Sequence, residues 1–191
     1  MNELIEILNK HQINGFEFEG GTDKATDHSY DTFYCKEFER FKNTQGTLLE
    51  IGSFNGGSGL LWHEYLPFIK IVMTDIQDNI PKNIKDKLNR SEFILMDGYQ
   101  KESIKALKNK YPEGFDIIIE DGPHNLETQM FALKEYSKLL KKGGVLIIED
   151  IQNESDLNEL LTVKLRGKTV EAVDLRHIKN RYDDLMIVVR K

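Results

Sequence analysis

The stretch EDGPHN sets Glu120, Asp121 and His124 directly after the apolar run FDIII, and a second acid pair, Glu149 and Asp150, closes the run GGVLIIED. Carboxylates gathered at the ends of buried strands repel one another at low dielectric unless a cation or protons intervene. Asp121, Glu149 and Asp150 offer only oxygen ligands, the donor set of a hard divalent ion; Mg2+ is the expected occupant, with water and substrate completing its shell. His124 lies on the turn beside Asp121, where an imidazole can accept a proton near neutral pH. The chemistry this trio and base could perform is deprotonation of a hydroxyl made more acidic by the cation. Glu120 alternates to the other side of its strand and stands outside the set. Taken singly, each acid could instead be a solvated turn residue or a helix N-cap.

A second group, LLEIGSFNGGSG, runs from a buried strand into a glycine-rich turn and then a helix start. Such a turn lets backbone approach a ligand, and the helix start offers free N–H groups. Its glycines do not fit the G-x-G-x-x-G fingerprint, and Glu50 within the strand end is foreign to that motif. Asp75 closes the next strand in IVMTDI. In a doubly wound sheet these two strand ends are neighbours at the switch-point crevice, where an acid can hold both hydroxyls of a ribose.

The elements that must position these residues follow from periodicity. From residue 47 onward, strand-length apolar runs alternate with amphipathic helical segments, predicting a doubly wound, Rossmann-like α/β fold with helices on both faces of a seven-stranded, mostly parallel sheet. Helices are expected near 57–65, 81–88, 101–110, 126–140 and 154–163, the fourth stopped by Gly143 and Gly144. Only RHIKNRYD separates the last two strands, too short for a helical crossover, so they should form an antiparallel hairpin with the final strand reversed. Two more helices are expected in residues 1–46, at 2–10 and 29–41, on either side of the loop GFEFEGGTDKATDH.

A chain of 191 residues suits a single domain, residues 1–46 forming a helical and active-site segment and 47–191 the cofactor-binding core. No apolar run is long enough to span a bilayer, and MNELIEILNK lacks the pattern of a secretory signal, so a cytoplasmic protein is expected. A net charge of −6 disfavours a nucleic acid as the main partner. The one cysteine, Cys35, has no basic cluster beside it and is a poor nucleophile candidate. The apolar positions of LIEIL in the first helix could pair with a second subunit to give a homo-oligomer.

Glu50 with Gly52 and its turn, Asp75, Asp97 ending FILMDG, and the reversed last strand together resemble a class I S-adenosylmethionine-dependent methyltransferase. The resemblance implies a cofactor site that includes Glu50 and Ile76, with Gly52, Ser53 and Phe54 under the methionine part, Asp75 at the ribose, and Asp97 and Gly98 beside the adenine. The arrangement DG-x-H followed by GG-x-x-x-x-ED, with GGTDKATDHSYDTFY upstream, is similar to the metal-dependent sugar O-methyltransferases of macrolide pathways and related glycan-modifying enzymes. That similarity implies Asp121, Glu149 and Asp150 as Mg2+ ligands, Asp121 also bordering the cofactor, and His124 as base. It places Thr22 and Lys24 at the cofactor and Asp23, His28 and Tyr30 along the wall. The acceptor implied is a sugar hydroxyl of a glycoside or glycoconjugate. Only about 46 residues precede the first strand, fewer than in those enzymes, so an open acceptor pocket bordered by RHIKNRY is expected. A catechol-type O-methyltransferase and a non-catalytic nucleoside-binding module are the alternatives.

Overall fold

The structure is a computed structural model that describes residues 2–191. Seven strands form one sheet: β1 (Gly46–Ile51), β2 (Ile69–Asp75), β3 (Ser91–Leu95), β4 (Phe115–Glu120), β5 (Leu140–Ile148), β6 (Thr169–Asp174) and β7 (Leu185–Arg190), in the spatial order β3-β2-β1-β4-β5-β7-β6. The first five are mutually parallel, and β7 runs antiparallel to both β5 and β6. The reversed strand is last in sequence but lies inside the sheet, with β6 on the edge. From β1 the chain winds outward to β2 and β3, then returns to the other side of β1 for β4 and β5. The switch point therefore falls between β1 and β4, and a crevice opens beyond their carboxyl ends.

Strand alternation sorts the core into two layers. Leu48, Ile71, Ile117, Ile119 and Ile147 face α1 (Glu3–His11), α2 (Tyr30–Phe38) and α3 (Gly57–Tyr65), which contribute Leu4, Leu8, Tyr34, Phe38 and Trp62. Leu49, Val72, Ile118, Leu146 and Ile187 face the helices that include α5 (Lys101–Lys110), α6 (Leu126–Glu135) and α7 (Glu154–Leu161), which contribute Leu107, Leu133 and Leu160. Single turns α4 (Lys82–Lys85) and α8 (Arg176–Lys179) complete the chain.

Three local expectations change. The segment predicted as a helix at 126–140 ends at Glu135 and finishes in a 3-10 turn, and Leu140 already belongs to β5. Gly143 and Gly144 lie within β5, near the point where its pairing with β4 shifts register, and do not stop a helix. In α1, Leu4 and Leu8 of LIEIL are buried against the rest of the protein rather than exposed, while Ile5 and Ile7 are half-buried. No helix among the described residues is long and apolar enough to cross a membrane.

Candidate active site

The loops following β1 to β5 line one cavity of about 830 Å³, within the range of small-molecule sites. At one end lie Gly52, Ser53, Phe54, Asp75, Ile76, Asp97 and Gly98. Asp75 accepts a hydrogen bond from the Phe54 backbone N–H at 2.9 Å, which locks the glycine turn to the end of β2. Gly52 has φ +88, and a Cβ there would collide with the carbonyl of Asp121, so only glycine lets the β1 and β4 loops come this close. Thr22 reaches the same wall because the backbone of Gly20 and Gly21 packs directly on Gly57 at the start of α3.

At the other end lie Asp121, His124 and Asp150, with Asp23, His28, Gln152, Arg181, Tyr182 and Asp183 around them. His124 Nε2 is 3.9 Å from Asp121 Oδ1, and its Nδ1 is 3.5 Å from Asp150 Oδ2. Both His124 (φ 53) and Asp150 (φ 56) hold left-handed backbone conformations, as does Phe54 (φ 42). Side chains rarely adopt these, and here the turns aim both groups into the cavity. Asp150 also accepts from the Tyr30 hydroxyl, and its Oδ1 lies 3.4 Å from His28 Nδ1. His28 is anchored in turn by Asp184 Oδ1 at 2.7 Å.

Three of the expected residues lie elsewhere, Glu149 and Glu50 by strand parity and Lys24 by the path of its loop. Glu149 continues the parity of Val145 and Ile147, so its carboxylate enters the layer under α2, where it accepts from Tyr34 and from Lys24. It is fully buried and does not line the cavity. Lys24 likewise leaves the cofactor wall: its Nζ is buried between Glu149 and Asp121 Oδ2, the latter at 2.7 Å. Glu50 shares the parity of Leu48 and accepts from the Trp62 indole at 3.2 Å beneath the glycine turn rather than opening to the cofactor end.

Burial of this charge cluster shifts its titration. Burial pushes Glu149 well above the ordinary carboxyl value, against the pull of Lys24, with Asp121 and Asp150 adding to the rise. Asp150 is raised by burial and then by Asp121. Asp121 is lowered, burial notwithstanding, because the Lys24 ammonium faces it. Lys24 stays well above its ordinary value: burial works against the charge, but Asp121 and Glu149 outweigh it.

Sequence reasoning passed over Tyr34, Gln129 and Asp184. Tyr30 and Tyr34 stand one helical turn apart on α2, a spacing that could have signalled a pair of hydroxyls facing the acids. Gln129 donates to the carbonyls of Glu149 and Asp150 at 3.1 and 3.2 Å, fixing the end of β5. A lone glutamine on a helix carries no sequence signal for that role.

No family model matches the chain. It is 31% identical over 134 residues to the mycinamicin VI 2''-O-methyltransferase of Micromonospora griseorubida, covering 65% of this chain and 32% of that one. It is 26% identical over 147 residues to an 8-demethyl-8-alpha-L-rhamnosyl tetracenomycin-C 2'-O-methyltransferase of Streptomyces olivaceus, covering 73% and 38%. The chain thus spans about a third of the length of the curated relatives it matches. In structure it is similar to the MycE methyltransferase from the mycinamycin biosynthetic pathway, solved in complex with Mg and SAH, with TM-score 0.69 and 19% identity over 98% of this chain and 54% of that one. A putative rRNA-methylase from Clostridium thermocellum shares the fold at TM-score 0.64 and 19% identity, over 86% and 96%. The fold is that of the class I S-adenosylmethionine-dependent methyltransferases. In sequence the chain is similar to macrolide and rhamnosyl-polyketide sugar O-methyltransferases.

Proposed function

We propose that this domain transfers the methyl group of S-adenosylmethionine to a sugar hydroxyl of a glycan or glycoside, assisted by Mg2+. One observation carries the reading: a single cavity joins the Asp75 end to the Asp121–His124–Asp150 end, in a chain whose relatives are named as sugar O-methyltransferases. The cation fits the residues present. Asp121, His124 and Asp150 each offer a ligand atom within 4.8 Å of the others, and the two carboxylates are the hard oxygen donors that Mg2+ requires. Asp121 and Asp150 would hold the ion, and Glu149 stands directly behind them.

At the other end, Asp75 would take the ribose hydroxyls, Ile76 and the Asp97–Gly98 turn the adenine, and Gly52, Ser53 and Thr22 the methionine part. When bound, the sulfonium supplies an electrophilic methyl carbon and the cation makes an acceptor hydroxyl more acidic. Asp150 faces His124 Nδ1 and favours the tautomer that leaves Nε2 free to take the acceptor proton. Gln152, Arg181 and Tyr182 form the rim at which a sugar would enter.

The test is mass spectrometry of methyl transfer from labelled S-adenosylmethionine to panels of hexose and deoxyhexose glycosides and of catechols. Glycoside methylation is expected, lost on chelation, with His124→Ala reducing transfer by about 10²- to 10⁴-fold while binding S-adenosylhomocysteine normally. Methylation confined to catechols, or full activity in His124→Ala, would overturn the reading.

A further inference from the structure

The acid end of the cavity contains a cation of its own. Lys24 is 3% exposed, an unusual site for an ammonium, and it reaches the acids from the loop between α1 and α2. Its Nζ takes Asp121 Oδ2 and Glu149 Oε2, while Tyr34 takes Glu149 Oε1. Both Glu149 oxygens are therefore engaged within the protein. On the cavity side, Asp121 Oδ1 and Asp150 Oδ2 face only His124, at 3.9 and 3.5 Å.

We propose that Lys24 is a tethered counter-ion that competes with the divalent cation for the Asp121–Glu149 pair. This rests on the Mg2+ reading above. In the metal-free protein the ammonium compensates part of the charge of three clustered carboxylates, which would otherwise drive the ends of β4 and β5 apart. Charges of +2 and +1 at about 5 Å repel by more than 1 kcal/mol even at the dielectric of water, equivalent to about a tenfold loss of metal affinity. Lys24 thus sets an affinity weak enough for the ion to come and go, and Glu149 becomes available as a ligand only as Lys24 withdraws.

The experiment is calorimetric titration of the metal-free protein with Mn2+ and with Mg2+, without cofactor or acceptor, accompanied by thermal melts. Lys24→Met is expected to bind the ion at least about tenfold more tightly than the wild type. Its metal-free melting temperature should be lower, and saturating Mn2+ should restore it; a lysine with a purely structural role would give the loss without the tightening. Lys24→Gln, which keeps a hydrogen-bond donor without the charge, covers the case in which Lys24→Met does not fold and is expected to show the same tightening. Lys24→Arg retains the charge and should stay within about twofold of wild type. Equal or weaker metal binding in the neutral variants overturns the proposal while leaving the Mg2+ reading intact. Absence of metal binding in wild type and variants alike overturns both.

Discussion

Glu50→Gln measures what it costs to keep an acid under the glycine turn. Glu50 is fully buried, has a single hydrogen bond from Trp62, and leaves its second oxygen without a partner. Burial, outweighing the attraction of Lys24, pushes its carboxyl up from 4.5 to about 7. A raised folded-state value means that the folded protein retains a proton which the unfolded chain has already lost. The associated stability is complete below pH 4.5, declines as pH rises, and is gone above about 7. That interval corresponds to about 3 kcal/mol. Glutamine imitates the protonated acid and cannot ionise, so the variant should match wild type in mild acid and exceed it by about 3 kcal/mol at slightly alkaline pH. Glu120, buried against Tyr99 and also raised to about 7, titrates in both proteins and cancels in the comparison. The assay is urea unfolding of metal- and cofactor-free protein at steps between about pH 5 and pH 8. A difference between the two proteins that stays constant across that range would refute the argument.

Gly52→Ala forces a side chain onto φ +88 and into the Asp121 carbonyl. Urea unfolding should show a loss of about 2 kcal/mol or more, with weaker binding of S-adenosylhomocysteine, and an unchanged midpoint would show that the turn relaxes freely. Asp75→Ala removes the carboxylate proposed for the ribose together with its bond to the Phe54 N–H. Calorimetry should give an affinity for S-adenosylhomocysteine about 10- to 100-fold lower; a value within about twofold of wild type would take Asp75 out of that site.

Alternation and turn chemistry made most of the sheet legible. The runs ending at Ile51, Asp75, Leu95, Glu120 and Ile148 are the five parallel strands, and the short RHIKNRYD connection correctly implied the reversal of β7. The segment at 126–140 was harder to divide, because a helix face and a buried strand are both rich in leucine and share the boundary at Leu140. In the site, strand ends could be ordered from sequence, but the direction of each side chain depends on which face a helix covers. Asp121 and Glu149 share one face, and Lys24 enters that face from 97 and 125 residues away in sequence. No local pattern announces such a contact. The positive φ that swings Asp150 off its strand into the cavity is equally invisible in the dipeptide Glu149-Asp150.

Strain and charge are concentrated on one rim of this sheet, and the packing around that rim explains how they persist. Phe54, His124 and Asp150 are three of the five non-glycine residues with positive φ among those described, and all three line the cavity. Conformations of this kind cost about 1–3 kcal/mol each and survive only where neighbours over-determine them. For Asp150 the neighbours are Tyr30 on its carboxylate and Gln129 on its carbonyl. For Phe54 it is Asp75 on the backbone N–H. The loop carrying Lys24 and His28 is held from the opposite end of the chain: Lys179 donates to the carbonyls of Ala25, Thr26 and His28 at 2.8, 2.7 and 2.7 Å. Three carbonyls converging on one ammonium clamp the segment before β1 to the loop between β6 and β7. The acid end of the cavity therefore depends on residues 20–34 as much as on the strand ends, since these supply Lys24, His28, Tyr30 and Tyr34 to its carboxylates. Loosening that clamp would leave the sheet intact while releasing the Lys24 ammonium and the tyrosine hydroxyls that allow three acids to stand together.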